Sequence, residues 1–446
     1  MSRVIVIGGG TGGSSAAYHL LRMGHSVTLI AGERYIGYSK CGLPYLIGGY
    51  VEAPEELVEI PPDSLRAMGC DLIYPAWVSR IDVKERKVDV RGDDGSFSLD
   101  YECLVIATGA KPVVPEIPGV NLGGVHYLRA MEDALVIMER LKRSAKAVII
   151  GANFTGIEMS EALLHLGLDV TLIDVMDRPL WRAFDADMSK MLLSRLGQEK
   201  KLRLYLGRDI ERIVGDGEVQ GVQVEGVGLI EADIVILGTG AVPNADLARA
   251  SGLPVGLTGG VKVDEYLRVT DSIYAVGDCI ETRNLVTGRP TLVQLSPAAQ
   301  RQAWVAAMNV SGHKVKYRGD VPVAMTRFFD LFLGVAGYTE EQALKEGLKP
   351  CAKKFVGRLS SPFMDGQEKV HVKLVFDGSG RLLGGQVVGS DPQAVGQRTN
   401  LIAFMLQLGA TAEDIALFRH GYAPPMSDVV DVFVKAGWWM VEGLWK

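Results

Sequence analysis

The stretch that decides the fold lies at the start of the chain, where Arg3-Val-Ile-Val-Ile7 runs directly into Gly8-Gly9-Gly10-Thr11-Gly12-Gly13. A short Val/Ile run predicts a buried strand, and Gly-x-Gly-x-x-Gly after it is typical of the turn that opens a dinucleotide-binding βαβ unit. We expect a helix over 14–23 and a second strand at Ser26-Val-Thr-Leu-Ile30. The helix start offers amide groups and a positive dipole end to a pyrophosphate. The alternative is a glycine-rich turn that serves packing alone.

The same pattern returns later in the chain. Ala147-Val-Ile-Ile150 leads into Gly151-Ala-Asn-Phe-Thr-Gly156, which predicts a helix over 157–166 and a strand at Asp169-Val-Thr-Leu-Ile173. Two βαβ units in one chain predict two dinucleotide sites. Asn153 replaces the middle glycine of the second fingerprint, so we expect the pyrophosphate to lie less close to the backbone there.

The end of the second strand in each unit bears on the choice of nucleotide. Asp174 is placed to accept hydrogen bonds from a ribose 2′-hydroxyl and to repel a 2′-phosphate, which favours NADH over NADPH. Arg178 lies close enough in sequence to weaken that preference, so NADPH stays possible. In the first unit Ala31 holds the position of the expected acid, and Glu33 is either its substitute or a solvated loop charge.

Three further glycine turns follow short apolar runs. Leu104-Val-Ile-Ala-Thr-Gly109 has a near echo in Ile234-Val-Ile-Leu-Gly-Thr-Gly240, and Gly277-Asp278 ends the run Ser272-Ile-Tyr-Ala-Val276. A carboxylate at a strand end beside a helix start suits a ribityl hydroxyl. Together with the opening fingerprint, these turns predict FAD at the first site.

Composition excludes several classes of protein. The chain has 446 residues, enough for roughly two to four domains. Its 47 Lys and Arg against 53 Asp and Glu give a net charge of −6, which argues against binding nucleic acid or an anionic membrane. No apolar run approaches the roughly 18 residues of a membrane span, and the start does not resemble a signal peptide, so we expect a cytoplasmic protein. None of the five cysteines forms a CxxC metal or dithiol motif.

The pattern predicts an α/β fold with two Rossmann-like dinucleotide-binding domains and a C-terminal α+β domain. We place a discontinuous FAD-binding domain at 1–112 and 246–322, an NAD(P)H-binding domain at 113–245 and the C-terminal domain at 323–446. In the last domain we expect strands at 370–376 and 382–388 and a helix over 400–408.

The segment Tyr38-Ser-Lys-Cys41-Gly-Leu-Pro-Tyr45 is the one that best fits redox chemistry. A thiol just before a helix start has its thiolate stabilised by the dipole, and Lys40 adds a neighbouring positive charge, so we expect Cys41 to be reactive. Gly42 would leave room for a planar ring or a substrate. The alternative is an inert cysteine that packs as a small apolar residue.

Taken together, the chain resembles the single-cysteine branch of the FAD-dependent pyridine nucleotide–disulfide oxidoreductases. That branch includes coenzyme A disulfide reductases, NAD(P)H polysulfide or CoA-persulfide reductases, and NADH oxidases and peroxidases. The matching motifs span nearly the whole chain: Gly8–Gly13, Cys41-Gly-Leu-Pro-Tyr45, Ala107-Thr-Gly109, Gly151–Glu158, Gly240-Ala-Val-Pro-Asn244, Gly277-Asp278 and Tyr422-Ala-Pro-Pro425.

The resemblance implies a homodimer whose C-terminal domains form the interface. It implies that Cys41 lies against one flavin face and nicotinamide against the other, with Phe154 covering the flavin until nicotinamide displaces it. Glu158 would hydrogen-bond the nicotinamide end, and Tyr422 and His420 would reach the partner subunit's active site. Tyr422 equally fits a structural role, bracing the Pro-Pro turn.

The implied candidate residues form two groups. Cys41, Tyr422 and His420 are the candidates for catalysis. The candidate cofactor-binding residues are Gly8, Gly10, Thr11, Gly12, Gly13, Glu33, Ala107, Thr108, Gly109, Gly277 and Asp278 in the FAD unit, and Gly151, Asn153, Phe154, Thr155, Gly156, Glu158, Asp174 and Gly240 in the NADH unit.

The function implied is electron transfer from NADH through FAD to a small disulfide, CoA persulfide or polysulfide held by Cys41. Thr11 stands where peroxidase and oxidase members carry a His, which argues against peroxide chemistry, although an NADH oxidase stays an alternative. Gly37 and Lys40 replace the Ser and Asn usual in CoA disulfide reductases, which keeps open electron exchange with a ferredoxin- or rubredoxin-type protein. A nucleotide-dependent scaffold without turnover is a further alternative. The aromatic C-terminal segment, 437–445, predicts either a cover over the dimer interface or a partner-binding surface.

Overall fold

A computed structural model describes residues 2–93, 95–365 and 368–444. Its helices are α1 (Thr11–Arg22), α2 (Leu43–Ile47), α3 (Pro62–Ala67), α4 (Met131–Leu141), α5 (Phe154–His165), α6 (Ala186–Leu196), α7 (Asp246–Ala250), α8 (Ser296–Val310), α9 (Glu340–Lys345), α10 (Pro392–Leu408), α11 (Ala412–Ala416) and α12 (Val432–Leu444). Short 3₁₀ turns cover Lys40–Gly42, Pro54–Leu57 and Gly277–Cys279.

The strands are β1 (Arg3–Ile7), β2 (Ser26–Ile30), β3 (Asp71–Ile73), β4 (Ala76–Asp82), β5 (Lys87–Gly92), β6 (Gly95–Asp100), β7 (Cys103–Ile106), β8 (Ala110–Pro112), β9 (Val125–Tyr127), β10 (Lys146–Ile150), β11 (Asp169–Asp174), β12 (Leu202–Leu206), β13 (Ile210–Asp216), β14 (Glu218–Val224), β15 (Gly228–Glu231), β16 (Ile234–Leu237), β17 (Ala241–Pro243), β18 (Val261–Lys262), β19 (Ile273–Ala275), β20 (Ile280–Arg283), β21 (Pro290–Thr291), β22 (Val323–Phe328), β23 (Leu331–Gly337), β24 (Cys351–Arg358), β25 (Lys369–Phe376) and β26 (Leu382–Gly389).

The first fingerprint follows the end of β1 in a parallel sheet whose strand order is β19-β7-β1-β2-β3. It therefore lies at the carboxyl-terminal edge of that sheet, where all the parallel strands end. β1 is central, and Val6 pairs with Leu29 on one side and Val105 on the other. Helix α1 begins at Thr11, three residues earlier than predicted, because Gly10 is the extended N-cap and the chain turns helical immediately after it. The glycine turns that follow β7 and β19 therefore lie at the same edge of the sheet as the fingerprint.

The second fingerprint lies on an equivalent parallel sheet, β12-β11-β10-β16-β9. Helix α5 also begins three residues earlier than predicted, at Phe154, because the Asn153 side chain caps it by accepting a hydrogen bond from Gly156 N at 3.1 Å. The predicted second strand runs one residue further, so that Asp174 is its last residue.

A two-stranded antiparallel ribbon, β8 with β17, connects the two sheets. It pairs the two segments that the sequence shows as echoes of each other. Thr108 Oγ1 donates to Asn244 O at 2.6 Å, and Asn244 N donates to Gly109 O at 2.9 Å. These bonds hold the end of β7 against the segment that leaves the second sheet.

The C-terminal part is an antiparallel sheet, β22-β23-β26-β25-β24, packed against α10. Helix α10 begins at Pro392, eight residues before the predicted start, because Asp391 caps it and Pro392 is pre-set for a first turn. In α12, Trp439 packs against Phe355 with ring centroids 6.0 Å apart. Trp438 donates from Nε1 to Ala416 O at 3.1 Å, while Trp445 of the same segment lies outside the described residues.

A buried ionic cluster joins the start of α6, which follows the second parallel sheet's strand β11, to the C-terminal sheet. Lys373 on β25 is 7% exposed and lies 3.1 Å from Asp185, 3.0 Å from Asp187 and 2.8 Å from Glu340. Gln386 Nε2 also donates to Asp185, at 2.6 Å. The cluster therefore fixes the entry to α6 against β25, β26 and the start of α9.

Among the described residues, no helix combines the length and the apolarity needed to cross a membrane.

Candidate active site

The central feature of the candidate site is a cavity of about 830 Å³ between the two parallel sheets and the C-terminal sheet. Its wall contains Lys40 and Cys41 from the segment before α2, and Arg129 from the segment before α4. The start of α5 contributes Asn153, Phe154, Thr155 and Glu158, and α10 contributes Asn400, Ala403, Phe404 and Gln407. The fold thus brings the predicted thiol and the predicted nicotinamide-side residues into one enclosed space.

The first fingerprint fits an FAD pyrophosphate. A Cβ on Gly8 would collide with the Ala107 carbonyl oxygen, and one on Gly13 would collide with the Gly8 carbonyl oxygen, so both glycines are required for packing. A Cβ on Gly10, in contrast, would meet no neighbour closer than Lys40 Cε at 3.8 Å. The backbone of Gly10 and the uncapped start of α1 therefore face open space, as a pyrophosphate site requires.

In the second fingerprint, unlike the first, a side chain of the turn itself already binds the backbone at the helix start. Asn153 donates from Nδ2 to Gly238 O at 2.5 Å and accepts from Gly156 N, which uses one amide of the helix start. Asp174 accepts from Ala152 N at 2.6 Å and Met176 N at 2.8 Å, so its carboxylate is fixed at the strand end. Arg178, expected near a 2′-phosphate, is instead paired with Glu341.

Cys41 lies in a 3₁₀ turn directly before α2, but the predicted stabilisation of its thiolate by Lys40 is wrong. Lys40 lines the same cavity but pairs with Glu33 at 2.5 Å. Cys41 is exposed to the cavity, but the surrounding protein still desolvates its thiol, and this desolvation, followed by the charge of Glu158, raises the pKa of the thiol; a hydrogen bond with Ser296 opposes the rise. The residues around Cys41 therefore raise the pKa of its thiol instead of lowering it.

Two smaller expectations in this segment are also wrong. Gly42 does not leave room for a ring, because a Cβ there would collide with the Leu57 side chain. Glu33 is not a free solvated charge: it accepts from Tyr38 OH at 2.8 Å and binds Lys40, while Tyr38 OH in turn accepts from Met131 N. Glu33 therefore fixes the segment that carries Cys41.

Glu158 is the most perturbed carboxyl group of the cavity. Burial raises its pKa to about 7, with a further contribution from the negative charge of Glu161 and an opposing hydrogen bond from Thr326. Thr326 Oγ1 donates to Glu158 Oε1 at 2.9 Å. A carboxyl group that titrates near neutrality beside a thiol gives the site a pH-dependent charge.

We expect Glu158→Gln to lower the pKa of Cys41. Well below pH 7 Glu158 is protonated, so the two proteins should alkylate at Cys41 with iodoacetamide at the same rate. Above pH 7 the wild-type carboxylate disfavours the thiolate and the variant does not, so the variant should react about threefold faster. Mass spectrometry of the Cys41 peptide measures the rate, and exposed Cys351 serves as the internal control. Equal rates at every pH would contradict the coupling.

The acid and the glycine turns at the strand ends are the remaining candidate residues. Asp278 pairs with Arg129, which also donates from Nε to Ala110 O at 3.2 Å. Gly277 adopts a φ of +83° and donates from its amide to Gln302 Oε1 at 2.7 Å, which places Asp278 at the strand end. Gly109 and Gly240 adopt φ values of +71° and +94°, so each turn takes a conformation that favours glycine.

Tyr422 and His420 do not line the cavity of their own chain. Tyr422 is 49% exposed, and its hydroxyl lies 3.2 Å from Ser361 Oγ. His420 is half-buried, with Nε2 3.2 Å from Val429 O. Both lie on the C-terminal part of the chain, outside the cavity that holds Cys41.

Several cavity residues have no signal in the sequence. Arg129 precedes α4 without any motif, and Arg301 is one of many polar residues on α8. Phe404 and Gln407 lie far along the chain from every fingerprint and reach the cavity only because α10 packs across the C-terminal sheet. A search for polar residues on the apolar stretch after Asn400 could have indicated Gln407 but not Phe404.

Comparison with known proteins agrees with this arrangement. Residues 2–303 match the pyridine nucleotide-disulphide oxidoreductase family, and residues 323–432 match its dimerisation domain. The chain is 36% identical over 440 residues to an NAD(P)H coenzyme A polysulfide/persulfide reductase of Pyrococcus horikoshii, covering 97% of each. It is 31% identical over 434 residues to an NADH oxidase of Methanocaldococcus jannaschii, covering 96% of each. The solved structure of an NAD-dependent persulfide reductase from A. fulgidus superposes with a TM-score of 0.94 at 32% identity, covering 99% of this chain and 83% of that one.

The resemblance in the motifs, the α/β fold with its two parallel sheets, and the use of FAD and NAD(P)H are therefore confirmed. This chain belongs to the pyridine nucleotide-disulphide oxidoreductase family.

Proposed function

We propose that the protein uses NADH to reduce a small sulfur substrate, either a CoA persulfide, a CoA disulfide or a polysulfide, through Cys41. The observation that carries this proposal is the shared cavity, in which Cys41 and the nicotinamide-side residues Phe154 and Glu158 line one space. No second cysteine of the described chain lines that cavity. A single thiol can complete a disulfide cycle when the substrate supplies the other sulfur.

Cys41 performs two steps. Its thiolate attacks one sulfur of the substrate S–S bond, which forms a mixed disulfide on Cys41 and releases the other sulfur as a thiolate or sulfide. FAD, when bound, supplies the transfer of two electrons from NADH. Those two electrons cleave the mixed disulfide, so that the Cys41 thiolate and a second reduced sulfur are regenerated and one NAD⁺ and one H⁺ are formed.

The surrounding residues support an anionic substrate. Arg301 lines the cavity with its side chain 56% exposed and 3.8 Å from Asp320, so its guanidinium is available to a negative group. Polysulfide and the phosphates of CoA are both anionic, and an exposed guanidinium in the cavity wall attracts such substrates. Asp174 at the strand end favours NADH over NADPH for the same reason of charge.

The full site would require a homodimer, in which Tyr422 and His420 of the partner subunit complete the cavity. The exposure of Tyr422 supports this arrangement, as does the match to the dimerisation domain. The domain boundaries 1–112 with 246–322, 113–245 and 323–446 and a cytoplasmic location stay predictions.

The second candidate function is that of an NADH oxidase, in which Cys41 cycles through a sulfenic acid and oxygen is the acceptor. The 31% identity to the Methanocaldococcus jannaschii protein favours it. Thr11 argues against peroxide handling, because its hydroxyl lies 3.4 Å from Ser296 Oγ and offers no imidazole for proton transfer.

The experiment is an anaerobic assay of NADH consumption with CoA persulfide, CoA disulfide, polysulfide or a ferredoxin as sole acceptor, and an aerobic assay with oxygen alone. We expect turnover with at least one sulfur acceptor to exceed that with oxygen by at least about tenfold. The mass of the Cys41 peptide, taken before NADH is added, identifies any sulfur adduct. Turnover with oxygen or ferredoxin alone, with Cys41 unmodified throughout, would overturn the proposal.

A further inference from the structure

The adenosine end of the FAD unit lacks the acid that Rossmann units place at the end of the second strand. Ala31 holds that position and is 2% exposed. Its amide donates to Ile73 O at 3.1 Å and its carbonyl accepts from Ala76 N at 2.8 Å, so its backbone is fully used. Glu33 is held by Tyr38 and Lys40. Ala31 thus offers no carboxylate to a ribose, and both oxygens of Glu33 already bind other side chains.

An aromatic side chain occupies this strand end instead. Trp77 is the second residue of β4, directly after the Ala76 that bonds Ala31, and its indole covers Gly32. A Cβ on Gly32 would lie 2.5 Å from Cε2, 2.5 Å from Cζ2 and 2.7 Å from Cδ2 of that ring. Any larger residue at position 32 would therefore displace the indole.

Trp77 is nevertheless 63% exposed, which is unusual for the largest apolar side chain. One part of the ring rests on Gly32, and the rest faces the solvent at the edge where β2 ends. A dinucleotide held at the Gly8–Gly13 turn would extend its adenosine toward this edge, because Rossmann units hold the pyrophosphate at the helix start and the ribose at the end of the second strand.

We propose that Trp77 is a cofactor-binding residue that stacks on the adenosine of FAD and replaces the missing ribose carboxylate. Stacking on an indole needs no hydrogen-bonding acid, because every purine has a π-face. It would hold the adenine base against the exposed face of the Trp77 ring. Gly32 is also required, because a side chain at this position would displace the indole from the end of β2. The proposal rests on FAD binding at the first fingerprint and not on the identity of the sulfur substrate.

The test is the rate at which FAD leaves the holoenzyme on dilution, followed by flavin fluorescence. Trp77→Ala and Trp77→Leu remove the aromatic ring, and Gly32→Ala displaces it, so all three should release FAD about tenfold faster. Trp77→Phe keeps a ring and should stay within about threefold of the wild type. The matched control is Phe97→Ala on β6 of the same small sheet, where an aromatic residue is also exposed, and it should leave the rate unchanged.

The comparison of Leu with Phe decides the matter even if the alanine variant folds poorly, because both residues can cover Gly32 and only Phe can stack. Circular dichroism establishes that each variant is folded. Release of FAD from Trp77→Leu at the wild-type rate, or equally fast from the Leu and Phe variants, would overturn the proposal. NADH turnover does not enter the measurement, so a failure of the proposed sulfur chemistry would leave this result intact.

Discussion

Replacing Cys41 by Ser should abolish NADH-dependent reduction of every sulfur acceptor, with a loss of at least about 1,000-fold in kcat/KM. Cys41 is the only cysteine among the described residues on the cavity wall, so no other thiol there can form the mixed disulfide. A serine hydroxyl at that position cannot accept a sulfur atom and return it to a two-electron donor. The measurement is steady-state NADH oxidation under anaerobic conditions with the sulfur acceptor that the wild type uses.

Two controls separate the loss of the thiol from damage to the protein. Cys351→Ser changes the other exposed thiol, on β24 of the C-terminal sheet, and should leave turnover unchanged. Electron transfer from NADH to an artificial one-electron acceptor such as ferricyanide should survive in Cys41→Ser, because that route does not need a thiol. If the Cys41 variant still reduced the sulfur acceptor, the flavoprotein would act by direct transfer, as in the alternative of a redox-protein partner.

Much of the fold could be predicted from sequence because its decisive signals are local. A Val/Ile run followed by Gly-x-Gly-x-x-Gly fixes strand, turn and helix within a few residues, and the two fingerprints appear where they were expected. The errors at helix starts have the same local origin. Gly10, Asn153 and Asp391 act as N-caps, and apolar periodicity alone does not show where a cap lies.

The contacts within the site were harder to predict, because they depend on the direction in which each side chain points and not on the order of residues in the sequence. Lys40 neighbours Cys41 in sequence, but successive side chains of a turn point different ways, and Lys40 binds Glu33. Desolvation contributes most to the raised pKa of Cys41, and the charge of Glu158, which lies on a different βαβ unit, raises it further. Sequence neighbours thus indicated a thiolate, whereas the folded chain places a carboxyl group beside the thiol.

The second large effect should come from Lys373→Met, which we expect to lower the free energy of unfolding by about 3–5 kcal/mol at pH 7. Lys373 is 7% exposed and is the only cation that the described residues place within 4 Å of Asp185, which is itself almost fully buried. Burial alone would raise the pKa of Asp185, but amide hydrogen bonds, Gln386 and Lys373 outweigh it and hold that pKa below its usual range. Urea unfolding followed by circular dichroism measures the loss.

The pH dependence identifies the cause. In the wild type the pKa of Asp185 is depressed, so its contribution to stability is present at neutral pH and is lost as the pH falls through the acidic range. In the variant Asp185 loses its cation and binds a proton more readily, so the difference between the two proteins should be largest near pH 7 and shrink toward pH 4. The matched control is Lys146→Met, whose ion pair with Glu231 is exposed to solvent, so its loss should leave the free energy of unfolding nearly unchanged at every pH. A loss that stays constant from pH 4 to pH 8 would instead indicate that the lysine contributes packing rather than charge. The cluster links α6 to β25. A charge-dependent loss would therefore also mean that the packing of α6 against the C-terminal sheet depends on the buried charge of Lys373.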